Sequence, residues 1–186
     1  GGYIVTSLSG ARWHCQSLVV ACGGLSIPKI GATGFGYQIA RQFGLEIIPT
    51  RAALVPLTFD PDTRADLGQM AGISVDAVVA HQKTRFREGL LFTHRGLSGP
   101  SILQISSYWR EAETIQINLN PEQDAFELLK SAKEETPKQM VHNVLSRMLP
   151  NRLAHYITAR HGLERPIGET GDKALRKLAG DFNQGQ

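Results

Sequence analysis

The chain has 186 residues, a hydrophobic fraction of 41%, a charged fraction of 20% and a formal net charge of +3. That length buries one sizeable core or two small ones, and the composition is ordinary for a folded domain. No apolar run approaches the roughly 18 residues of a membrane span, nothing reads as a signal peptide, and two cysteines give no disulfide framework. A cytoplasmic location is therefore expected. The chain starts at Gly1 and enters strand-like sequence at once, so it reads as an internal piece of a longer protein.

Tyr3 to Leu8 and Ala11 to Cys15 are β-rich runs separated by Ser9-Gly10, a two-residue hairpin signal. Ser17 to Cys22 is continuously apolar, as suits a strand covered on both faces, and it stops at Gly23-Gly24. Its partner strands are not in this sequence. Gly31-Ala-Thr-Gly34-Phe-Gly36 opens a helical pattern from Tyr37 to Phe43, with Gly44 at the expected stop. Leu45 to Ile48, Leu54 to Phe59, Ile73 to His81, Lys83 to Phe86, Leu90 to Thr93 and Thr114 to Leu119 read as strands, with a helix from about Pro100 to Trp109. Beyond Asn120-Pro121, helical spacing takes over at Asp124–Glu135, Val141–Leu149, Arg152–Arg160 and Asp172–Ala179. These elements predict an α+β fold: a β-rich, barrel-like module over residues 51–120, then a helical module and tail over 121–186.

Three stretches carry candidate chemistry. A strand ending in Gly23-Gly24 lets a ligand approach the backbone, although on spacing alone a tight structural turn is the preferred reading. Glycines 31, 34 and 36 precede a helix whose free N–H groups suit an anion, but no Walker A loop and no Gly-x-Gly-x-x-Gly fingerprint is present. Leu91-Phe-Thr-His-Arg-Gly-Leu-Ser-Gly-Pro100 gathers an imidazole, a hydroxyl and backbone N–H groups at one helix start. There Ser98 competes with simple capping and His94 with a hydrogen-bonded loop histidine. His14, Cys15 and Cys22 lack metal-ligand spacing, so no metal site is expected. The run Lys83-Thr-Arg85-Phe-Arg87 reads as a solvated strand face rather than a nucleic-acid patch, because acids are interspersed throughout.

Taken in order, Cys22-Gly-Gly-Leu-Ser-Ile-Pro28, Gly31 to Tyr37, Leu54-Val-Pro-Leu57 and Leu91 to Pro100 resemble the BaiN/YhiN-like NAD(P)/FAD-dependent flavoproteins. The resemblance is strong to about Leu119 and looser beyond. It implies that residues 1–50 are the last part of a first FAD-binding, Rossmann-like segment, interrupted by the β-rich and helical modules. It also implies an FAD-dependent oxidoreductase passing electrons between flavin and a small-molecule substrate, with NAD(P)H as a candidate donor. Carried over by motif, His94 and Ser98 are the catalytic candidates. Gly23, Gly24, Gly31, Gly34, Gly36, Thr93, Gly96, Leu97 and Gly99 are the cofactor-binding ones. The expected partner is the remainder of the same polypeptide, with neither nucleic acid nor membrane. The chain by itself is expected to be inactive and to retain little FAD. The alternative is a non-catalytic interaction or substrate-recruiting module.

Overall fold

The computed structural model describes residues 1–183, which divide into two units, Gly1–Ala52 and Ala53–Gln186. In the first, β1 (Tyr3–Thr6) and β2 (Arg12–Cys15) pair antiparallel, with Tyr3 opposite Cys15. Their connection is longer than the two residues expected. The Ser7 N–H donates to the Ala11 carbonyl (2.9 Å), the Gly10 N–H donates to the Ser7 carbonyl (2.9 Å), and Gly10 takes φ 86°. Helix α1 (Phe35–Gln42) stops as its sequence requires. Gly44 turns left-handed at φ 71°, its N–H donates to Arg41 and that of Leu45 donates to Ala40, which satisfies the last carbonyls.

Ser17–Cys22 and Leu45–Ile48, both expected as strands, have no strand structure. An apolar run becomes a strand only where a neighbour offers ladder hydrogen bonds, and neither run has one within this unit. Among its described residues the unit buries no side chain, and Ile4, Trp13, Val19 and Ile48 are exposed.

The second unit is an α+β fold. Its sheet is fully antiparallel, in the order β3 (Leu57–Thr58), β6 (Gly96–Ser98), β5 (Thr84–Phe92), β4 (Ser74–His81), β7 (Gln116–Asn118), curled into a half-barrel. Alternation in β4 sends Val75, Ala77, Val79 and His81 inward and Ser74 and Asp76 outward. Two predicted strands, Lys83–Phe86 and Leu90–Thr93, are one strand bridged through Gly89, whose partner across the ladder is Asp76. Leu54–Phe59 shrinks to two paired residues, since Leu54 sits at φ 55° and Pro56 has no N–H to donate.

Helix α2 (Pro61–Leu67) was missing from the sequence reading, although its start signal is strong. The Asp60 carboxylate accepts the N–H of Asp62 (3.0 Å) and Thr63 (3.1 Å), with Pro61 in the first turn. Helix α3 is shorter than expected, Pro100–Ser106 rather than Pro100–Trp109. The Ser106 hydroxyl donates to the Leu103 carbonyl (2.8 Å) and accepts the Val55 N–H (3.0 Å). The chain beyond it is held by Trp109 Nε1–H donating to the Glu113 carbonyl (2.6 Å).

Four helices follow: α4 (Ala125–Glu135), α5 (Val141–Leu145), α6 (Asn151–Arg160) and α7 (Asp172–Asn183). Their apolar stripes, including Leu129, Val144, Leu153 and Leu178, join the inner sheet residues and Ile102 and Ile105 of α3 in one core. Each fully buried aliphatic side chain contributes about 1.5–3 kcal/mol. The Leu119 N–H donates to the Phe182 carbonyl (3.0 Å), tying the end of β7 to the end of α7.

Two predictions follow from this packing. A Cβ at Gly99 would stand 2.5 Å from the Gly89 carbonyl, and its φ of 94° is unfavourable for any other residue. Gly99→Ala is expected to cost at least about 1–3 kcal/mol in urea unfolding; an unchanged midpoint would refute it. Burial pushes the His142 and His161 imidazoles below their ordinary range, with His155 adding to the effect at His142. The unfolded chain then binds protons more readily than the folded one. The stability these groups supply is complete above the ordinary histidine value and is lost as pH falls through the depressed ones. Melting temperature should therefore drop from about pH 7.5 to about pH 5, and His142→Gln/His161→Gln should flatten that drop.

Candidate functional site

The turn after β5, strand β6 and the Gly99 that follows it hold six of the eleven candidate residues. Thr93 closes the turn: its N–H (2.8 Å) and its hydroxyl (2.9 Å) both donate to the Gly96 carbonyl. The same hydroxyl oxygen accepts the N–H of Arg95 (3.3 Å) and of Gly96 (3.1 Å). This local closure leaves His94 and Arg95 exposed at the tip. The His94 carbonyl accepts Arg64 Nε–H from α2 at 3.2 Å, which docks the tip against that helix.

The glycines of the turn have backbone reasons for being glycines. A Cβ on Gly96 would overlap the Leu57 carbonyl across the β3–β6 pairing, and Gly99 abuts Gly89 and Leu91 of β5. Leu97 is a core residue, 6% exposed, opposite Phe92 on one side and Leu57 on the other. Ser98 does not stand at a helix start. It is a strand residue opposite Leu91, and Gly99 is the residue before α3, with no side-chain cap. At seven residues α3 is also shorter than the helix whose dipole was expected to act here. The Ser98 hydroxyl makes no hydrogen bond among the described residues, so it is the free hydroxyl of the turn, whereas that of Thr93 is fully engaged.

The other five candidates lie in the first unit. Gly24 and Gly36 are explained by packing: a Cβ would meet the Tyr37 hydroxyl at 3.3 Å or the Cys22 sulfur at 3.2 Å. Gly34 makes only ordinary contacts before α1. Gly23 (φ 73°) and Gly31 (φ 88°) are left-handed, with no heavy atom within 4 Å of a built Cβ. These two positions leave backbone open to a ligand.

Sequence reasoning missed the polar groups around a cavity of the second unit, which measures about 980 Å³. Its walls include Leu57 and Ile117 of the two edge strands, Phe92 and Leu97 of the sheet, and Phe182 of α7. Tyr156 and Arg160 of α6 also line it, and both reach Asp66 on α2. The tyrosine hydroxyl donates to the carboxylate at 2.5 Å, and Arg160 Nη1 lies 3.0 Å from the same oxygen. Burial raises the Tyr156 pKa, helped by Asp66, so the phenol stays protonated at neutral pH. The only trace of this cluster in the sequence is the four-residue spacing of Tyr156 and Arg160, which puts them on one helix face.

Just before β7, Glu113 and Thr114 of the same cavity wall meet buried His81 of β4, whose Nδ1 lies 3.1 Å from the Thr114 carbonyl and whose Nε2 lies 3.0 Å from Glu113 Oε2. The second contact is close enough for an ion pair but is poorly aligned as a hydrogen bond. Among the described residues no group of three His, Cys, Asp or Glu side chains is placed to hold a metal, and no helix is long and apolar enough to cross a membrane.

Removing the closing hydroxyl with Thr93→Val should cost about 1 kcal/mol or somewhat more in thermal unfolding, because several partners lose it at once. His94→Ala, which removes an exposed side chain with no hydrogen bond of its own among the described residues, should stay within about 0.5 kcal/mol. Equal losses in both would mean that the tip is structural.

Among known proteins, the chain is 45% identical over 172 residues to a ribosomal RNA dihydrouridine synthase of Escherichia coli, covering 92% of this chain and 41% of that protein. The ribosomal RNA dihydrouridine synthase of Haemophilus influenzae is 47% identical over 150 residues, covering 80% of this chain and 37% of the relative. A 3-dehydro-bile acid delta(4,6)-reductase of Clostridium scindens is 26% identical over 166 residues, 82% of this chain and 40% of the relative. The chain thus spans about two fifths of the length of each of these relatives. Residues 51–186, which contain the half-barrel and the four following helices, match the model of the HI0933-like protein barrel and H2TH domain, and the chain belongs to that family.

Proposed function

We propose that the intact protein is a flavin-dependent reductase that converts a uridine of ribosomal RNA to dihydrouridine, with NAD(P)H as the reductant. The observation that carries this reading is the 45% identity, over 92% of the chain, to a relative named for that reaction. The relative named for a bile-acid reduction is far more distant, at 26%. This reading takes a macromolecular substrate in place of the small molecule that the resemblance implies, and in place of the absence of nucleic acid expected from dispersed charge.

Reduction of a uracil ring adds a hydride to one carbon of its C5–C6 double bond and a proton to the other. The flavin, once reduced by NAD(P)H, would supply the hydride. Gly23 and Gly31 suit a dinucleotide, since each leaves open space where a side chain would stand. Gly24, Gly34 and Gly36 would shape the same surface. The Rossmann-like portion that binds the pyrophosphate would come from the rest of the polypeptide, and the exposed apolar residues of the first unit would pack against it.

The β5–β6 turn would face the reacting base. His94, an imidazole exposed at the tip of the turn, is the proposed proton donor, and Ser98 offers a hydroxyl with no hydrogen bond among the described residues. Thr93, Gly96, Leu97 and Gly99 hold the turn in place rather than touching the chemistry directly. A non-catalytic recruiting module has no specific observation in its favour.

Two measurements test this. Ribosomal RNA from cells lacking the gene, digested to nucleosides and analysed by mass spectrometry, should lose dihydrouridine. The intact gene should restore it, and the His94→Ala version should act at least about a hundredfold more slowly in single-turnover reduction. Unchanged dihydrouridine in the deletion strain would sink the proposal. Separately, the 186-residue chain purified alone should be colourless, because dinucleotide affinity concentrates in a Gly-x-Gly-x-x-Gly unit that this sequence lacks. Stoichiometric bound flavin would contradict the division of labour proposed here.

A further inference from the structure

The net charge of the chain resides in one short stretch. Of 20 Lys and Arg and 17 Asp and Glu, residues 140–165 contain Arg147, Arg152, Arg160 and Arg165 against the single acid Glu164. Elsewhere bases and acids cancel. This stretch is the α5–α6 hairpin and the turn after it.

Two of its arginines reach toward α2 and the loop that follows. Arg152 Nη2 donates to the Ala71 carbonyl at 2.6 Å, and Arg160 Nη1 donates to Asp66 (3.0 Å) and to the Tyr156 hydroxyl oxygen (2.9 Å). Helix α2 also meets the β5–β6 turn through Arg64 and the His94 carbonyl. Arg152 and Arg160, then Arg64, then Arg95 therefore form an exposed series that starts on α6, passes over α2 and ends beside His94. Two of the three acids at α2 are not free to turn toward a phosphate. Asp60 is committed to capping, which holds its carboxyl below the usual range, and Asp66 is shared by Tyr156 and Arg160; only Asp62 is uncommitted.

Building on the ribosomal RNA reading, we propose that these four arginines are the phosphate-contacting track that leads the RNA to the His94 turn. Guanidinium groups match phosphate oxygens in a fixed fork, and each phosphate neutralised releases condensed counterions. Arg152 and Arg160 are already held by neighbours, so little side-chain freedom remains to be lost on binding. The Lys83–Arg87 run does not belong to the track. Arg87 is paired with Asp76 and Glu122, and the tip of the β4–β5 hairpin lies a nine-residue strand away from the turn, roughly 30 Å.

The test uses the intact protein and unmodified ribosomal RNA transcribed in vitro, with retention measured over a series of potassium chloride concentrations. R152Q/R160Q and R64Q/R95Q are each expected to bind roughly tenfold more weakly and to lower the slope of log affinity against log salt by about one to two. K83Q/R85Q, which removes the same charge elsewhere, should bind within about twofold of wild type. Flavin content and melting temperature show that each variant is folded, and R152K/R160K should recover part of the loss. Wild-type affinity and slope in both track variants, or an equal loss in K83Q/R85Q, would overturn the track while leaving dihydrouridine formation untouched. A wild-type protein that neither retains RNA nor supports dihydrouridine formation would remove both proposals together.

Discussion

The β5–β6 turn is possible only because two glycines let backbone approach backbone. Gly96 lies against the Leu57 carbonyl, and Gly99 lies against Gly89 and Leu91, at distances no side chain tolerates. These approaches bring β3 onto β6 and start α3 directly beneath β5, so the half-barrel curls and α3 packs Ile102 and Ile105 beneath it. Thr93 then completes a turn whose geometry is already fixed at its far end. The string from Thr93 to Pro100 is therefore a folding device first, which leaves the His94 and Arg95 side chains in solvent and the Ser98 hydroxyl without a partner among the described residues. That separation matters when variants are interpreted. Under the proposed function, loss of activity at Gly96 or Gly99 reports on the scaffold, whereas loss at His94 with flavin retained reports on the reaction.

How much of this was legible in the sequence depended on whether the signal was local. Gly44 ends α1 through hydrogen bonds to residues three and five positions earlier, so its reading needed nothing from the rest of the molecule. The stripe in α4 and the alternation in β4 were readable for the same reason. Ser17–Cys22 misled because a strand is a relation between two segments, and composition reports only one of them. Ser98 misled differently. Serine before Gly-Pro is a plausible cap, but strand pairing with Leu91 takes the residue into the sheet and passes the boundary to Gly99. Helix α2 was legible and was overlooked: Asp60-Pro61 is a complete start signal, obscured by a short and mostly polar helix with little periodicity to notice.

The two units differ in what holds them. The first has a hairpin, a left-handed helix stop and a T-shaped Tyr3–Phe43 contact, yet it buries no described side chain. Those devices are each worth about a kilocalorie or less and do not offset the entropy of ordering fifty residues. The second carries 26 buried hydrophobic residues, enough for a core of its own. Stability measured on this chain will therefore report chiefly on the half-barrel and helices, and says little about substitutions at Gly23 or Gly31 in the first unit.

The contact between α2 and α6 shows how a surface can be ordered and still keep its charge. An exposed ion pair such as Asp66–Arg160 adds at most about 1 kcal/mol, so its value lies in position rather than strength. Tyr156 makes that position definite. Its raised pKa keeps it a neutral donor, so it orients the carboxylate without cancelling it, and the oriented carboxylate aims Arg160. Arg152, one turn before Tyr156 on the same helix face, is aimed by a backbone carbonyl that has no charge to cancel. One carboxylate of α2 and one backbone carbonyl thus place two guanidinium groups of α6, which restricts the motion of both while only one of them is ion-paired.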